Sequence, residues 1–225
     1  MIYITGDMHG DQRRITNYIL NKNWTHDDIL IVCGDFGYIF YNDHSEHLFL
    51  NDIEEKCPFT IAFLAGNHEN FNAIKKYPQE EWCGNLIHRI RKNIVFLING
   101  NIYNINNRSF FVFGGGTSRD KEFRELNATW FEEEMPSDED YLNANKNLKN
   151  ANFDVDFILT HTAPSFIAHF DMERKPHKNE YPLNNFLNKL YFKSTFIHWY
   201  FGHFHEDRDI NTKMTCVWFD VIELT

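Results

Sequence analysis

Short apolar runs recur along the chain, and several of them stop at a glycine followed by an acidic residue, an amide or a histidine. Met1 to Thr5, Ile29 to Cys33 and Phe59 to Ala65 are too short for helices and rich in β-branched and aromatic residues, so they predict buried strands. Between the first two, Ile15, Tyr18 and Ile19 recur at helical spacing up to about Asn23, with Asp11 placed to cap. Between the second and third, Asp43 to Lys56 predicts a helix that Pro58 stops. Strand and helix in alternation predict a parallel α/β sheet with right-handed crossovers, in which ligands bind at the carboxyl ends of the strands.

The middle of the chain changes character. Ile94 to Ile98, Ile102 to Ile105 and Phe110 to Phe113 are β runs separated by Asn99-Gly100-Asn101 and Asn106-Asn107-Arg108, which predicts antiparallel hairpins. Gly114-Gly115-Gly116 breaks the sheet, and Thr117 to Met135 has no period, so it reads as a functional loop with short helical turns. Ser137 to Asp140 has the form of a capping box opening a helix to about Asn150. Val155 to Thr160 then predicts a strand, Pro182 to Phe192 a helix, Thr195 to Phe201 a strand and Thr215 to Ile222 a last strand.

Composition narrows the class. At 225 residues, 43% hydrophobic and 24% charged, the chain fits one globular domain over residues 1–225. The 22 phenylalanines, with the tryptophans and tyrosines, are expected mainly in the core. A net charge of −10 argues against a double-stranded nucleic-acid partner, whose backbone demands clustered Lys and Arg. Cys33, Cys57, Cys83 and Cys216 form no C-x-x-C pair and read as reduced thiols. No apolar run reaches the roughly 18 residues of a membrane span, and no signal-peptide order opens the chain, so a cytoplasmic location is expected.

Chemistry concentrates where the strands end. Gly6-Asp7-Met8-His9-Gly10, Gly34-Asp35-Phe36-Gly37, Gly66-Asn67-His68-Glu69, Thr160-His161-Thr162 and Gly202-His203-Phe204-His205 each close a hydrophobic run. Asp7 with His9, and His203 with His205, stand two apart, so on extended backbone each pair can point one way. Either pair alone is ordinarily a solvated or core-satisfied pair. Together with Asp35, Asn67 and His161 they make an oxygen- and nitrogen-rich set without sulfur, suited to Mn, Fe, Zn or Ni. Seven donors exceed one tetrahedral ion and match two ions sharing a carboxylate, the arrangement that clamps a phosphoryl group.

These five motifs, in this order from Asp7 to His205, resemble the signature of the calcineurin-like metallophosphoesterases. The resemblance implies a four-layer α/β/β/α sandwich with mixed sheets and two divalent metal ions. It places Asp7, His9, Asp35 and His205 on one ion and Asp35, Asn67, His161 and His203 on the other, with Mn the ion expected to serve in vitro. It further implies hydrolysis of a phosphoester by a hydroxide held between the metals, with His68 assisting the leaving group.

The protein-phosphatase branch of the resemblance carries a further Asp and Arg after its middle motif and an Arg before Gly-Asn-His. Here Tyr38-Ile39-Phe40 and Ala65 stand in those places, which disfavours a phosphoprotein substrate and leaves His68 without an identified acidic partner. A small phosphodiester or nucleotide is the expected substrate. The alternatives are a phosphomonoesterase or protein phosphatase of the same fold, or a scaffold that binds without catalysis. Arg13, Arg14, Arg119 and Arg124 are candidates to hold substrate phosphate, Arg119 foremost, against an ordinary surface role for each. His26, His44, His47, His88, His169, His177 and His198 match no motif and read as surface or packing residues, and Glu132-Glu133-Glu134 as a solvated acidic turn. Trp130 and Phe131 read as core, with stacking on a nucleobase the other possibility.

Overall fold

The runs at Ile4, Leu30, Ile31, Val32, Ile61, Ala62 and Phe63 are fully buried because the strands they form are covered on both faces. In the computed structural model, which describes residues 1–175 and 177–224, thirteen strands are numbered along the chain. They are β1 (Ile2–Thr5), β2 (Ile29–Val32), β3 (Thr60–Phe63), β4 (Gln79–Trp82), β5 (Asn85–Arg91), β6 (Ile94–Leu97), β7 (Ile102–Ile105), β8 (Arg108–Phe113), β9 (Phe157–Thr160), β10 (His198–Phe201), β11 (Arg208–Asn211), β12 (Met214–Cys216) and β13 (Ile222–Leu224). A seven-stranded sheet has the order β13-β1-β2-β3-β6-β5-β4, and a six-stranded sheet the order β11-β12-β10-β9-β8-β7. Both are mixed: β1, β2, β3 and β6 run parallel in the first, β12, β10, β9 and β8 in the second, with antiparallel strands at the edges.

Three apolar layers hold these elements. Ile4, Ile31, Leu64, Val95, Phe110, Leu159 and Tyr200 fill the space between the sheets. On the outer face of the larger sheet, Leu30, Val32 and Phe63 pack under Phe49, Leu50 and Ile53 of α1 (His44–Lys56). On the outer face of the smaller one, Phe111, Ile158 and Trp199 pack under Ala144 and Leu148 of α3 (Asp138–Asn150) and Leu183 and Leu187 of α4 (Tyr181–Lys193). A short helix, α2 (Phe71–Ile74), follows the third motif and adds Phe71 to the first layer. The result is the expected α/β/β/α sandwich. Among the described residues no helix is long and apolar enough to cross a membrane.

Helix ends follow the local chemistry. Asp43 caps α1 by accepting from the Glu46 amide, and Ser137 with Asp140 forms the complete capping box of α3. The segment after Asp11 is instead a π-helical turn over Arg14–Ile19, with the Asp11 carboxylate accepting from the backbone and guanidinium of Arg13. All four cysteines are free thiols.

Three expectations change. The segment around Asn99-Gly100-Asn101 is not a hairpin, since β6 belongs to one sheet and β7 to the other, whereas Asn106 and Asn107, both at positive φ, do turn β7 back on β8. The final strand divides into β12 and β13 in different sheets, because the Asp207 carboxylate gathers the amides of Trp218, Phe219 and Asp220 and bends the chain there. The hairpin of β4 and β5 was not expected: Gln79–Trp82 is a polar edge strand whose pairing with β5 is decided by the turn at Cys83 and Gly84, both at positive φ.

Arg14, a candidate for substrate phosphate, is buried at 5% exposure. Its guanidinium donates to Thr5 Oγ1 (3.0 Å), the Asp7 carbonyl (3.2 Å) and the Trp218 carbonyl (2.7 Å), and its charge sits over the Phe219 ring. It therefore ties the end of β1 to the bend after β12 and cannot reach a ligand. Replacing it leaves several buried carbonyls without a donor, so Arg14→Met is expected to lower the unfolding free energy by about 2–4 kcal/mol in urea titrations. Arg13→Ala, which removes only an exposed pair with Asp11, is expected to leave the midpoint in place.

Candidate metal centre

Each motif leaves the carboxyl end of a parallel strand: Asp7 and His9 after β1, Asp35 after β2, Asn67 and His68 after β3, His161 after β9, and His203 and His205 after β10. The chain has to turn sharply there to aim both backbone and side chain inward. Asp7, His9, Asp35, His203 and His205 all have φ between 44° and 73°, a region that Asp and His enter only when the surroundings hold them. Glycine makes the close approach possible. A Cβ on Gly66 would stand 2.1 Å from Asp35 Oδ1 and 2.2 Å from the Asp35 amide, and one on Gly34 would stand 2.3 Å from His161 Nδ1.

The sequence-predicted donors converge. Asp7, His9 and His205 offer atoms within 4.8 Å of one another, as do Asp7, Asp35 and His161. His161 Nδ1 is 2.9 Å from the Cys33 carbonyl and so carries its proton toward that oxygen. Its Nε2 faces Asn67 Oδ1 at 3.1 Å, His203 Nδ1 at 3.2 Å and Asp35 Oδ1 at 3.5 Å. The Asn67 amide is oriented by its own Nδ2 donating to Ser118 Oγ at 3.1 Å. On the open side, His9 Nε2 meets His205 Nε2 at 2.9 Å and lies 3.6 Å from Asp35 Oδ2. Oxygen and nitrogen donor atoms thus crowd together around Asp35, a set that fits cations.

Electrostatics agree with that fit. Burial opposes a charge on His161, yet Asp35 and Asp7 outweigh it and push its pKa up to about 9. Burial and the nearby Asp35 push Asp7 up to about 7, against the pull of His161. Burial drives His9 and His203 down to about 4, so both imidazoles are neutral near pH 7, the form that can bind a cation. Asp7, Asp35, Asn67, His161 and His203 are buried, while His9 and His205 reach the surface.

Residues outside the motifs complete the cluster. Glu180 Oε1 is 3.5 Å from His203 Nε2 and accepts from the Thr117 amide at 2.9 Å, leaving His203 Nδ1 to face inward. Glu69, fully buried, accepts from the Phe36 amide at 2.7 Å and locks the third motif to the second. Glu134 is not a solvated acid: it is 2% exposed and accepts from the Ser118 amide. Nothing local marks Glu180 or Glu134, since only the folded chain brings them to their partners.

His68 stands beside the cluster. Its amide donates to Asp35 Oδ1 at 2.7 Å and its ring lies edge-on to His9 at 4.8 Å. Arg124 runs along the ring, with Nη1 and Nη2 each 3.3 Å from a ring nitrogen, and is paired with Asp120 at 2.8 Å. The acidic group missing from the motifs therefore acts on His68 through a guanidinium. Burial is the main cause that holds the His68 pKa below the ordinary imidazole range; Asp35 opposes it and the Arg124 charge adds to it.

A cavity of about 240 Å³ opens over Asp35, Asn67, His68, His203 and His205, and Arg119, Arg124 and Arg174 line it. Arg13 is spent on Asp11. A larger cavity of about 450 Å³ lies under Phe71, Phe96 and Met135 and holds none of the candidate ligands. Phe131 is core, and neither it nor Trp130 lines the cavity over the site. His44 and His47 lie on α1, where His47 is 3.3 Å from Arg91.

Comparison with known proteins follows the same line. Among solved structures the chain is similar to a protein described as a 5′-nucleotidase from Staphylococcus aureus, crystallised in complex with α-ketoglutarate, at 14% identity and a TM-score of 0.48. The similarity covers 96% of this chain and 48% of that one, so the chain spans about half the length of that relative. No curated protein matches. The sequence model of the calcineurin-like phosphoesterases matches residues 1–207, a span that takes in every motif brought together at the strand ends, and the chain belongs to that family of metal-dependent phosphoric ester hydrolases.

Proposed function

We propose that the chain hydrolyses a small phosphoester, a phosphodiester or nucleotide, at a two-metal centre. The observation that carries this reading is the ring of oxygen and nitrogen donor atoms around Asp35, with neutral imidazoles on the open side and the amide oxygen of Asn67 on the buried side. Asp7, His9, Asp35 and His205 would hold one ion, and Asp35, Asn67, His161 and His203 the other. When bound, two divalent ions supply charge to the phosphoryl oxygens and lower the pKa of water beside them.

The remaining work belongs to side chains. His9, Asp35 and His68 also come within 4.8 Å of one another, and the Arg124 guanidinium stands 3.3 Å from each ring nitrogen of His68, where its positive charge disfavours a metal ion on that ring. Neutral at pH 7, His68 presents a ring N–H to the departing oxygen. Arg124 keeps the ring in place and adds positive charge where the phosphoryl group becomes more negative. Glu180 and Cys33 fix the orientation of His203 and His161. The net charge of −10 supports a small substrate over double-stranded nucleic acid.

With Mn²⁺ supplied, cleavage of bis(p-nitrophenyl) phosphate beside p-nitrophenyl phosphate tests the reading. His68→Ala is expected to lower kcat by roughly 10²–10⁴-fold with both ions still bound, and Asp35→Asn to lose metal and turnover together. Full activity in Asp35→Asn would refute the shared-carboxylate site. Metal binding also has a pH signature. The folded-state pKa of His161, about 9, lies above the ordinary 6.5, so its proton stabilises the metal-free fold fully below pH 6.5 and is lost as pH rises through about 9. A cation on Nε2 replaces that proton, so Mn²⁺ is expected to raise Tm more at pH 9 than at pH 6.5; an equal rise at both would argue against His161 as a ligand.

A further inference from the structure

The cavity over the metal centre carries more positive charge than one phosphoryl group needs. Arg119, Arg124 and Arg174 all line it, in a chain whose net charge is −10. Arg124 is committed to His68 and Asp120. Arg119 and Arg174 enter no ion pair among the described residues. Each is held from its backbone side instead: Arg119 Nη2 donates to the Lys175 carbonyl at 2.8 Å, and Arg174 Nη1 to the His203 carbonyl at 2.9 Å. Arg174 is further steadied by lying over the Phe204 ring. Two guanidiniums that line one cavity are thus anchored by neutral carbonyls. Like charges held in one cavity, with donors left over, make a place for an anion.

The lining settles what kind of anion. Among the described residues Phe204 is the one hydrophobic residue in it, so the lining does not favour a base or an acyl chain. Its volume, about 240 Å³, falls below the roughly 300–1,000 Å³ of pockets that enclose whole drug-sized ligands. Any second group must lie next to the first. We propose that Arg119 and Arg174 form a subsite for a second phosphoryl group joined to the scissile one by a bridging oxygen, making the preferred substrate a diphosphate such as a nucleoside diphosphate. This rests on the hydrolase reading above and deepens it.

The reaction then balances without another reagent. Water's oxygen bonds to the scissile phosphorus and one of its protons passes to solvent. The bond from that phosphorus to the bridging oxygen breaks, and the electron pair leaves with the second phosphoryl group, whose charge Arg119 and Arg174 receive. The leaving group is itself an acid's anion, so guanidinium charge suits it. The rest of the substrate extends out of the cavity into solvent.

The test compares kcat/KM for ADP and for p-nitrophenyl phosphate on the full chain loaded with Mn²⁺, together with calorimetric binding of imidodiphosphate and of inorganic phosphate with metal in excess. ADP is expected to be preferred at least about tenfold, and imidodiphosphate to bind at least about tenfold more tightly than phosphate. Arg119→Ala, an exposed position that the fold does not need, and Arg174→Lys, which keeps a donor for the His203 carbonyl, are each expected to reduce both ratios roughly tenfold. Ratios near one in the unaltered chain, or variants that lower both substrates and both ligands by one common factor, overturn the diphosphate subsite. Failure to hydrolyse ADP, p-nitrophenyl phosphate and bis(p-nitrophenyl) phosphate with two ions bound overturns the hydrolase reading beneath it, and the calorimetric ratio then still reports separately on the subsite.

Discussion

Two buried carboxylates, Asp7 and Asp35, set the terms for everything around them. Burying one carboxylate is costly, and burying two beside each other is more so, unless positive charge comes with them. His161 is placed between them and is drawn toward protonation by both. Backbone amides supply part of the remainder: His203 donates to both oxygens of Asp7, and His68 donates to Asp35. These contacts leave oxygen lone pairs over, and divalent ions are the natural match for them.

The sandwich exists to hold that unfavourable cluster still. Parallel strands from both sheets deliver their carboxyl ends to one edge, so residues far apart in sequence meet without any long loop having to find them. Gly34 and Gly66 allow the strand ends to approach within side-chain distance of one another. The positive φ values at Asp7, His9, Asp35, His203 and His205 are strain that buried partners offset, among them Glu69 and Arg14, neither of which faces the cavity. Burial at the floor contrasts with the open side, where His9 and His205 reach the surface.

A different part of the chain walls the cavity above them. The segment after the glycine run contributes Thr117, Ser118, Arg119, Asp120 and Arg124 to the cavity, and the segment after β9 contributes Arg174. Glu134 and Glu180, both buried, hold the first of these segments against the sheets through the Ser118 and Thr117 amides. The same two sheets could carry other segments at this position, and with them other substrates, while the floor stayed unchanged.

The sequence by itself determined the buried parallel strands, the ends of the longer helices and the motifs that gather at the strand ends. Buried parallel strands must be continuous apolar runs, and residues that ligate from strand ends must sit immediately after them, so both leave short local patterns such as Gly34-Asp35 and Gly202-His203. The capping box at Ser137 and the stop at Pro58 are equally local. Only the tertiary structure decided that β6 and β7 part into different sheets, that Asp207 divides the last strand, and that Arg14, Glu69, Glu134 and Glu180 are buried. It also decided that Arg124 stacks on His68 and that Arg174 joins Arg119. A charged side chain reads the same in sequence whether it meets water or a buried carbonyl, because its partner comes from elsewhere in the chain and is chosen only when the layers close.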